Sequence, residues 1–411
     1  MSLRIEDVDL FSPSTQEDWY PAYSAIHEQA PVYKVPGSEM FLISKFEDIA
    51  WIVRNPEKFP NNTTGSSGLL QSPEAQAYYL EHGYARRQPL GTNPPLHRRY
   101  REQVDPFFSP NGAEKQRAMI TATINELVDG WIERGEIEFM REFAIPLPVT
   151  VITKMLGFPV EDMPQLRTWS NAWVMPFAMN LTPAEQMYVA EQGVAFQKYI
   201  EGHIEAHRAE PGHDVISHLA SALFAGERPF SNDEIVNIID HLYIGGNETT
   251  TFALTSGLWL LGRTPGLWEE LKADRSKVRF FVEEVLRLES PTQGLFRRTT
   301  EDMTLRGVFV PKDSLLHLRF AAANRDADEF PEPATLDLAR PNVGKHLAFS
   351  QGEHMCPGAG LSRLEQNIAW TVLLDRVEQF GFSPEKNDFT HLPGFVLRGL
   401  NQLHVTFERA K

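Results

Sequence analysis

The chain has 411 residues, a length that alone would suggest two or three domains. Its 55 acidic and 39 basic side chains give a net charge of −16, which disfavours nucleic acid or an anionic membrane as the main partner. The single cysteine excludes an internal disulfide, and the polar, acidic stretch from Met1 to Tyr20 lacks the apolar core of a signal peptide or membrane span. We therefore expect a soluble cytoplasmic protein.

No Gly/Ser-rich linker, repeat or low-complexity tract divides the chain, and the Pro-dense stretches lie between periodic segments. This organisation predicts one large domain over residues 1–411. Helical periodicity dominates and strand-like alternation is confined to short stretches, so we expect a mainly α-helical fold with small β-sheets, of the α+β class.

In the N-terminal part, helical spacing predicts a helix over residues 16–30 and another from Phe46 to Arg54. Between them, Pro31 to Ser44 alternates around a Pro36-Gly37-Ser38 turn, which indicates a β-hairpin. The segment from Asn61 to Leu90 is first rich in Gly and Ser and then aromatic, and we interpret it as irregular.

The segment from Asn93 to Arg101 is basic, and its two prolines suit a helix start. His97 and Arg101 are four residues apart and share one helix face, whereas Arg98 and Arg99 point elsewhere. Two donors at this spacing can clamp a pair of carboxylates. Taken alone, the segment would more often be a solvated basic helix.

The middle of the chain predicts amphipathic helices over residues 117–134, 143–157 and 184–208. Between the last two lies a stretch from Trp169 to Leu181 that is rich in aromatic residues and Met. Such a stretch is usually part of a core, and its other interpretation is the wall of an apolar pocket.

A long helix is predicted from the capping box formed by Ser231 and Glu234 to about Gly262, a length of roughly 45 Å. Its centre contains Gly245 and Gly246, each of which costs up to ~1 kcal/mol relative to Ala in a helix. This cost requires a reason.

Gly245, Glu248, Thr249 and Phe252 follow helical spacing, so a small residue, an acid and an alcohol share one face of this helix. The alternative is that the Thr249 hydroxyl merely bonds the carbonyl four residues back. That alternative does not account for the glycines and the acid on the same face.

Glu284 and Arg287 also share a helix face, and as an isolated ion pair they would contribute only a few tenths of a kcal/mol. Further along, residues 303–320 predict a strand pair. A second strand pair is predicted at the C-terminus between residues 395–397 and 403–407.

Cys356 lies where a loop gives way to a helix that runs from Ala359 to about Phe380. A helix N-terminus stabilises an anion and lowers the pKa of a cysteine. Gly352 and Gly358 allow turns of the backbone around it, and His354 can donate a hydrogen bond to an acidic group beside the sulfur. The alternative is that Cys356 is a small buried hydrophobic residue.

The segment from Phe349 to Gly358 has the pattern FxxGxHxCxG, which resembles the haem-binding loop of the cytochrome P450 family. The HxxxR helix at His97, the Gly-Gly-Asn-Glu-Thr-Thr run from Gly245 and the ExxR at Glu284 follow the family's order, so the resemblance covers essentially the whole chain. It implies the cytochrome P450 fold, with the long central helix over haem b (iron protoporphyrin IX).

The resemblance also implies residue roles. Cys356 would be the thiolate ligand of the iron, with Phe349 packed near the sulfur. The haem propionates would be bound by His97, Arg101, His354 and Arg297, although the adjacent Arg298 is an alternative to Arg297. Glu284 and Arg287 would form a buried structural network with the segment from Asn324 to Arg340.

The implied activity is that of a monooxygenase that inserts one atom of O2 into a small hydrophobic substrate. Gly245 would leave room over the iron, and Glu248 and Thr249 would pass protons. No flavin-binding or iron–sulfur segment flanks the domain, so electrons would come from NAD(P)H through a ferredoxin reductase and a ferredoxin. The candidate docking patch is basic and consists of Arg98, Arg99, Lys115 and Arg117.

The expected substrate pocket is apolar, which favours a terpenoid or aromatic compound, with a steroid or fatty-acid-like substrate as the alternative. Its candidate lining residues are Leu69, Leu70, Trp173, Met175, Phe177, His241, Leu242, Leu295, Phe296 and Phe395. Arg86 and Arg87 could anchor a carboxylate, but we expect exposed loop cations.

Other functional classes are disfavoured by particular residues. A haem-binding sensor or carrier would not need Glu248 and Thr249, and a peroxide-driven peroxygenase would typically replace them. A metallohydrolase would need a compact cluster of His and acidic ligands, which the sequence does not show.

Overall fold

The computed structural model describes residues 3–61, 72–178 and 181–411. The expected pocket residues Leu69 and Leu70 lie outside these ranges. The N-terminal elements are α1 (Pro13–Glu17), α2 (Tyr20–Gln29), β1 (Val32–Lys34), β2 (Met40–Ile43), α3 (Phe46–Val53), α4 (Pro73–His82) and α5 (Leu96–Phe108).

The predicted hairpin is confirmed, since β1 pairs antiparallel with β2 in the register Val32 to Ile43. Gly37 has a φ of +71° in the turn, a conformation that glycine adopts without a steric penalty. The irregular interpretation of the segment after Asn61 is wrong over α4. Ser72 caps that helix by accepting a hydrogen bond from the Ala75 amide, and Pro73 takes its first position.

The central elements are α6 (Pro110–Glu114), α7 (Arg117–Asp129), β3 (Glu136–Glu138), α8 (Pro146–Leu156), α9 (Met163–Val174), α10 (Pro183–Ala209), α11 (Val215–Ser221), β4 (Leu223–Phe224), β5 (Arg228–Pro229) and α12 (Asn232–Arg263). The predicted helices over residues 117–134, 143–157 and 184–208 correspond to α7, α8 and α10. The aromatic stretch from Trp169 begins in the last turns of α9 and continues into a 3₁₀ helix at Met175–Ala178.

Helix α12 has the predicted capping box, because the Ser231 hydroxyl accepts from the Glu234 amide and the Glu234 carboxylate accepts from the Ser231 amide. It packs against α8, α9, α10, α14 and α16. The close approach to α8 explains Gly246, where a Cβ would lie 3.0 Å from a side-chain carbon of Ile152.

The remaining elements are α13 (Leu267–Ala273), α14 (Val278–Leu288), β6 (Leu295–Arg298), β7 (Met303–Leu305), β8 (Val308–Val310), β9 (Leu315–Leu318), α15 (Phe320–Ala323), α16 (Ala359–Arg376), β10 (Val377–Phe382) and β11 (His404–Arg409). The larger sheet has the order β1-β2-β9-β6, and another has the order β10-β11-β3.

Two predictions about strands need correction. Within residues 303–320, β7 and β8 pair as expected, but β9 leaves them to pair parallel with β2 and antiparallel with β6. At the C-terminus, β11 pairs with β10 and β3 and not with residues 395–397. The helix after Cys356 is also shorter than the predicted one, which ran to about Phe380. Helix α16 ends at Arg376, and the chain continues as strand β10 up to Phe382.

Glu284 and Arg287 form a fully buried ion pair on α14, with Nε–Oε1 at 2.6 Å and Nη2–Oε2 at 2.9 Å. Arg340 also donates to Glu284 at 3.1 Å, and Arg287 donates to the Asn324 carbonyl at 3.0 Å. The Asn324 side chain in turn accepts from the Leu347 amide at 2.6 Å. This network therefore ties α14 to the segment that leads into the cysteine loop.

Candidate active site

The Cys356 loop is shaped by a backbone hydrogen bond at 2.9 Å from the Cys356 amide to the Phe349 carbonyl. Ser350 and Gly352 both have positive φ within this loop, at 57° and 74°. A Cβ at Gly352 would lie 2.6 Å from the Val53 carbonyl oxygen, so this position requires glycine both for its φ and for space.

The Cys356 thiol lies just before α16, as predicted, but its net pKa shift is opposite to the prediction. Burial raises the pKa of this thiol, and this effect exceeds the lowering by the Gly358 and Ala359 amides and by the charges of Arg101 and Arg363. A metal ion bound to the sulfur would displace the thiol proton outright. The amides and cations would then face a thiolate.

Four basic side chains from three parts of the chain lie together beside the cysteine loop. The ring centroids of His97 and His354 are 4.1 Å apart. Burial lowers the pKa of His354 to about 3, and the positive charges of His97, Arg297 and Arg101 lower it further. His97 and Arg101 come from α5, Arg297 comes from β6, and His354 belongs to the cysteine loop.

Within the described ranges, Arg101 is the member of this cluster with a close anionic partner, since it donates to Asp105 Oδ1 at 2.5 Å and to the Met355 carbonyl at 3.0 Å. Neither imidazole makes a hydrogen bond, and Glu353 Oε1 lies 3.7 Å from His97 Nδ1. Arg297 is buried and donates only to neutral oxygens among these residues, at 3.0 Å to Asn61 Oδ1 and 2.7 Å to the Phe296 carbonyl. Burial lowers the pKa of Arg297 to about 10.

Arg297 and Arg298 point to opposite faces of β6, as successive strand residues do. Arg298 donates to the Asp313 carbonyl at 2.6 Å, on the side away from the His97 cluster. The sequence left open which of these two arginines belongs with His97 and Arg101. The structure brings Arg297 to the cluster.

The centre of α12 has an open side at Gly245, where a Cβ would meet no atom of the described residues within 4 Å. Thr249 is half-buried one turn later, and its hydroxyl donates to the Gly245 carbonyl at 3.1 Å. The hydroxyl therefore does bond the carbonyl four residues back, as the alternative interpretation of Thr249 expects. Its oxygen can still accept hydrogen bonds. Burial raises the pKa of Glu248, with the charge of Arg167 opposing it.

The expected pocket residues differ in how deeply the structure buries them. Trp173 and Leu242 are buried, while His241, Phe177 and Phe296 are half-buried and Leu295 is exposed. Met175 packs against the small cluster around Tyr79 and Val189.

Phe395 does not reach the surface of the protein. It is fully buried, and its ring packs against Trp19, Phe11 and His317. Among the adjacent loop residues, Leu397 is the half-buried one.

The expectation for Arg86 is wrong, whereas that for Arg87 holds. Arg86 is only 8% exposed, but the Arg87 side chain is 67% exposed and lies 3.2 Å from Asp233. Arg86 is buried because α4 and the segment after it pack against α10 and α12, and the irregular interpretation of this segment gave no sign of such packing.

Sequence reasoning missed Arg363, which links the cysteine loop to α14. Arg363 donates to both oxygens of Glu283 at 2.6 and 2.8 Å, and its guanidinium lies 4.6 Å from the centroid of the Phe349 ring. His346 contacts the same carboxylate at 2.9 Å. The available signal was that Arg363 lies two turns after Cys356 and that Glu283 adjoins Glu284.

The predicted basic patch is smaller than expected. Arg98, Arg99 and Lys115 are exposed, but Arg117 forms two hydrogen bonds with the Glu114 carboxylate, at 2.5 and 3.0 Å. Arg98 Nε lies 3.5 Å from Glu353 Oε1. Among these four residues, Arg99 and Lys115 form no close ion pair with the described part of the chain.

Comparison with known proteins identifies the family. The model of the family Cytochrome P450 matches residues 160–402. Cytochrome P450 107B1 of Saccharopolyspora erythraea is 30% identical over 407 residues, covering 98% of both chains. Vitamin D(3) 25-hydroxylase of Pseudonocardia autotrophica is 30% identical over 406 residues, covering 98% of this chain and 96% of that protein. The crystal structure of CYP109Q5 from Chondromyces apiculatus superposes with a TM-score of 0.86 at 28% identity, covering 99% of each chain.

The chain belongs to the cytochrome P450 family, as its motifs predicted, and it has the mainly helical fold of that family. It is a cytochrome P450 monooxygenase with haem b as its cofactor. In the described ranges, no helix has both the length and the apolar composition needed to cross a bilayer.

The residues present fit this cofactor on three observations. A thiol, the metal-ligating side chain of cysteine, stands at the start of α16. A cluster of cationic and imidazole donors beside it is short of acceptors, which two propionates would supply. The side of α12 at Gly245 is open.

We predict that Arg297→Gln weakens haem retention. A charge-assisted hydrogen bond contributes about 1.5–3 kcal/mol, so haem should dissociate about tenfold faster or more. Haem transfer to an excess of apomyoglobin measures this rate. Arg298→Gln is the matched control and should dissociate like wild type. Equal rates for the two variants would exclude Arg297 as a propionate ligand.

Proposed function

We propose that this monooxygenase oxidises a hydrophobic organic substrate with O2, using electrons from NAD(P)H that arrive through a ferredoxin reductase and a ferredoxin. The observation that supports the site most directly is the juxtaposition of Cys356 with the four basic side chains of His97, Arg101, Arg297 and His354. A thiolate ligand and a set of propionate donors are what a haem-thiolate centre requires.

In this proposal Cys356 is the iron ligand. Arg363 and Phe349 pack behind the sulfur and fix the loop through Glu283. The two propionates bind to the basic cluster that includes Arg297. These carboxylates would pair a guanidinium that the described protein residues leave without an anion, which removes most of the penalty for burying it.

When bound, the haem supplies the activation of O2 and the insertion of one oxygen atom into the substrate. The chain positions the reactants and supplies protons. Gly245 leaves space beside α12, and Thr249 holds its hydroxyl at the edge of that space through the Gly245 carbonyl. In this orientation the Thr249 oxygen is free to accept a hydrogen bond from a water molecule or a reacting group.

Glu248 is suited to be the proton donor behind Thr249. Because burial raises its pKa, this carboxyl holds a proton closer to neutral pH than an exposed glutamate does. The positive charge of Arg167 acts in the opposite direction and limits the rise. The pair therefore combines a group that can release a proton with a hydroxyl that can orient it.

The central test is the absorption spectrum of the reduced carbonyl complex. We expect the haem-loaded protein to show the red-shifted band that thiolate coordination gives, and Cys356→Ser to lose it, because an alcohol is a far weaker donor to the iron. Haem content, measured on the same samples, controls for loss of cofactor. A normal red-shifted band in the variant would refute the assignment of Cys356.

We expect Thr249→Ala to lower the yield of product per NADH consumed while NADH oxidation and peroxide release continue, since proton delivery would be disrupted. Thr249→Ser is the matched control because it keeps the hydroxyl. Product, NADH and peroxide are measured in one reaction. An unchanged yield in the alanine variant would contradict the proton-delivery role.

The proposed substrate is a terpenoid or aromatic compound. Leu242, Trp173 and Phe177 are buried or half-buried apolar side chains on α12, at the end of α9 and just after it, and we assign them to substrate together with Leu295, which shares the face of β6 that carries Arg297. Phe296 lies on the opposite face, where it packs with Phe395 against His317, and is omitted. A steroid-like substrate is the alternative, and the name of the Pseudonocardia relative, a vitamin D(3) hydroxylase, supports it. Phe395 is omitted from this lining.

The proposed docking surface for the ferredoxin consists of Arg98, Arg99 and Lys115, which are exposed on α5 and just after α6. On the same helix α5, His97 faces inward and lies beside His354 of the cysteine loop. The patch is therefore close to the proposed haem site while standing on a protein of net charge −16. Local positive charge of this kind accelerates the encounter with an acidic partner.

We predict that the double variant Arg98→Glu, Arg99→Glu slows reduction by a ferredoxin by about tenfold or more at low salt, because steering by charge is lost. Stopped-flow reduction is measured at low and at high salt. Screening should bring the wild-type rate toward that of the variant at high salt. Equal rates at low salt would rule out this docking surface.

A further inference from the structure

Arg86 is a buried cation that the haem site does not use. It is 8% exposed, and its guanidinium carbon lies 4.5 Å from the ring centroid of Trp173 and 6.0 Å from that of Tyr79. Neither of its terminal nitrogens has a hydrogen-bond partner in the described ranges. Contact with aromatic faces stabilises a cation but satisfies none of its N–H donors.

Two other buried arginines, Arg287 and Arg340, are fully hydrogen-bonded, which contrasts with Arg86. Arg287 bonds both oxygens of Glu284 and three backbone carbonyls. Arg340 bonds Glu284 and three carbonyls. Arg297 also lacks a described anionic partner, and it belongs to the proposed propionate site. By the same physical reasoning, Arg86 is expected to have a ligand.

Arg86 lies in a polar cluster with two residues of α12, Asp240 and His241. Asp240 is buried on α12, where its Oδ2 accepts from Trp173 Nε1 at 3.1 Å and its Oδ1 has no partner among the described residues. The Nδ1 of the adjacent His241 likewise has none. In this part of the chain no close ion pair joins Arg86 to Asp240, so the guanidinium remains available to another anion.

This polar cluster lies next to the proposed reaction site. His241 is four residues before Gly245 on the same face of α12, about 6 Å along the helix axis. Burial lowers the pKa of His241 to about 4, and the charges of Arg86 and Arg101 lower it further. The imidazole is thus neutral at pH 7, and Arg86 and Arg101, a member of the basic cluster, are both close enough to affect its pKa.

We propose that Arg86 is a substrate-binding residue and that the substrate is a hydrophobic carboxylic acid, whose carboxylate pairs with the guanidinium while its apolar part lies toward Gly245 and Thr249. This inference rests on the proposed monooxygenase function and narrows its substrate class. The rings of Trp173 and Tyr79 contact the guanidinium, and its two terminal nitrogens, which are buried and have no hydrogen-bond partner among the described residues, would donate to both oxygens of a carboxylate.

Asp240 does not prevent this binding. Burial raises the pKa of its carboxyl to about 6, with Arg86 opposing the rise, so it takes up a proton more readily than an exposed aspartate does. A second carboxylate nearby would favour that proton further, since two carboxylates that share a site do not both remain ionised. The protonated Asp240 could then also donate a hydrogen bond to the ligand.

The test compares matched ligands on the haem-loaded protein by titration calorimetry. One set is dodecanoic acid, dodecanamide and 1-dodecanol, and the other is 4-isopropylbenzoic acid, its amide and its alcohol. In at least one set the acid should bind about tenfold or more tighter than both neutral compounds. Absence of acid binding in both sets, or equal binding of acid and amide, would overturn the proposal.

Variants locate the effect. Arg86→Gln should remove the preference for the acid, and the exposed neighbour gives the matched control, Arg87→Gln, which should keep it. Arg86→Lys, which retains the charge but not the bidentate geometry, should keep part of it. A preference that survives in Arg86→Gln would also overturn the proposal.

Haem content and the reduced carbonyl spectrum are recorded on every sample. A normal spectrum without acid preference refutes only the carboxylate site. A missing thiolate spectrum refutes the proposed function instead.

Discussion

The shortage of acceptors around the basic cluster is the physical constraint on which the proposed site depends. His97 and Arg101 stand on α5, Arg297 on β6 and His354 on the cysteine loop, and each is held by its own element. Burying a guanidinium such as that of Arg297 is unfavourable unless an anion pairs with it, and the neutral imidazoles of His97 and His354 still need acceptors. In the proposed site, a dicarboxylate cofactor next to the Cys356 sulfur would supply both the charge and the acceptors.

The stability for this arrangement comes from buried ion pairs that are fully satisfied. Glu284 accepts from Arg287 and Arg340 and from the Asp337 amide, and Glu283, its neighbour, accepts from Arg363 and His346. The first carboxylate fixes the segment that leads into the cysteine loop, and the second fixes the loop itself. Removing one partner of the fully buried Glu284–Arg287 pair should cost about 3–5 kcal/mol, because the other charge stays buried and unpaired, whereas the half-buried Glu283–Arg363 pair contributes less.

Features set by a few neighbouring residues could be predicted from the sequence. The capping box at Ser231, the hairpin around Gly37, and the shared face of His97 and Arg101 are local, and the structure shows all three. Partners distant in sequence could not be predicted in this way. The pairing of β11 with β10, the ion pair of Arg363 with Glu283 and the burial of Arg86 depend on how elements pack.

The pKa of Cys356 shows the same limit at a single atom. The helix N-terminus acts as predicted, because the amides of Gly358 and Ala359 lower the pKa, but burial acts more strongly in the other direction. Burial is a property of the whole fold and leaves no mark in the local sequence. The thiol therefore holds its proton more firmly than an exposed cysteine does, and a bound metal ion would displace that proton.

Two adjacent glycines of α12 serve different purposes, one for close packing and one for open space. Gly246 lets the helix pack tightly on Ile152 of α8, whereas Gly245, one residue earlier, faces open space. The tight contact on one side fixes the position of the helix, and so it fixes the position of the opening on the other side. Asp240 and His241 lie about one turn before Gly245, so the polar cluster that they form with Arg86 has a fixed distance from that opening. A substrate anchored by its charged end at Arg86 would present to Gly245 and Thr249 a carbon determined by the length of its apolar part.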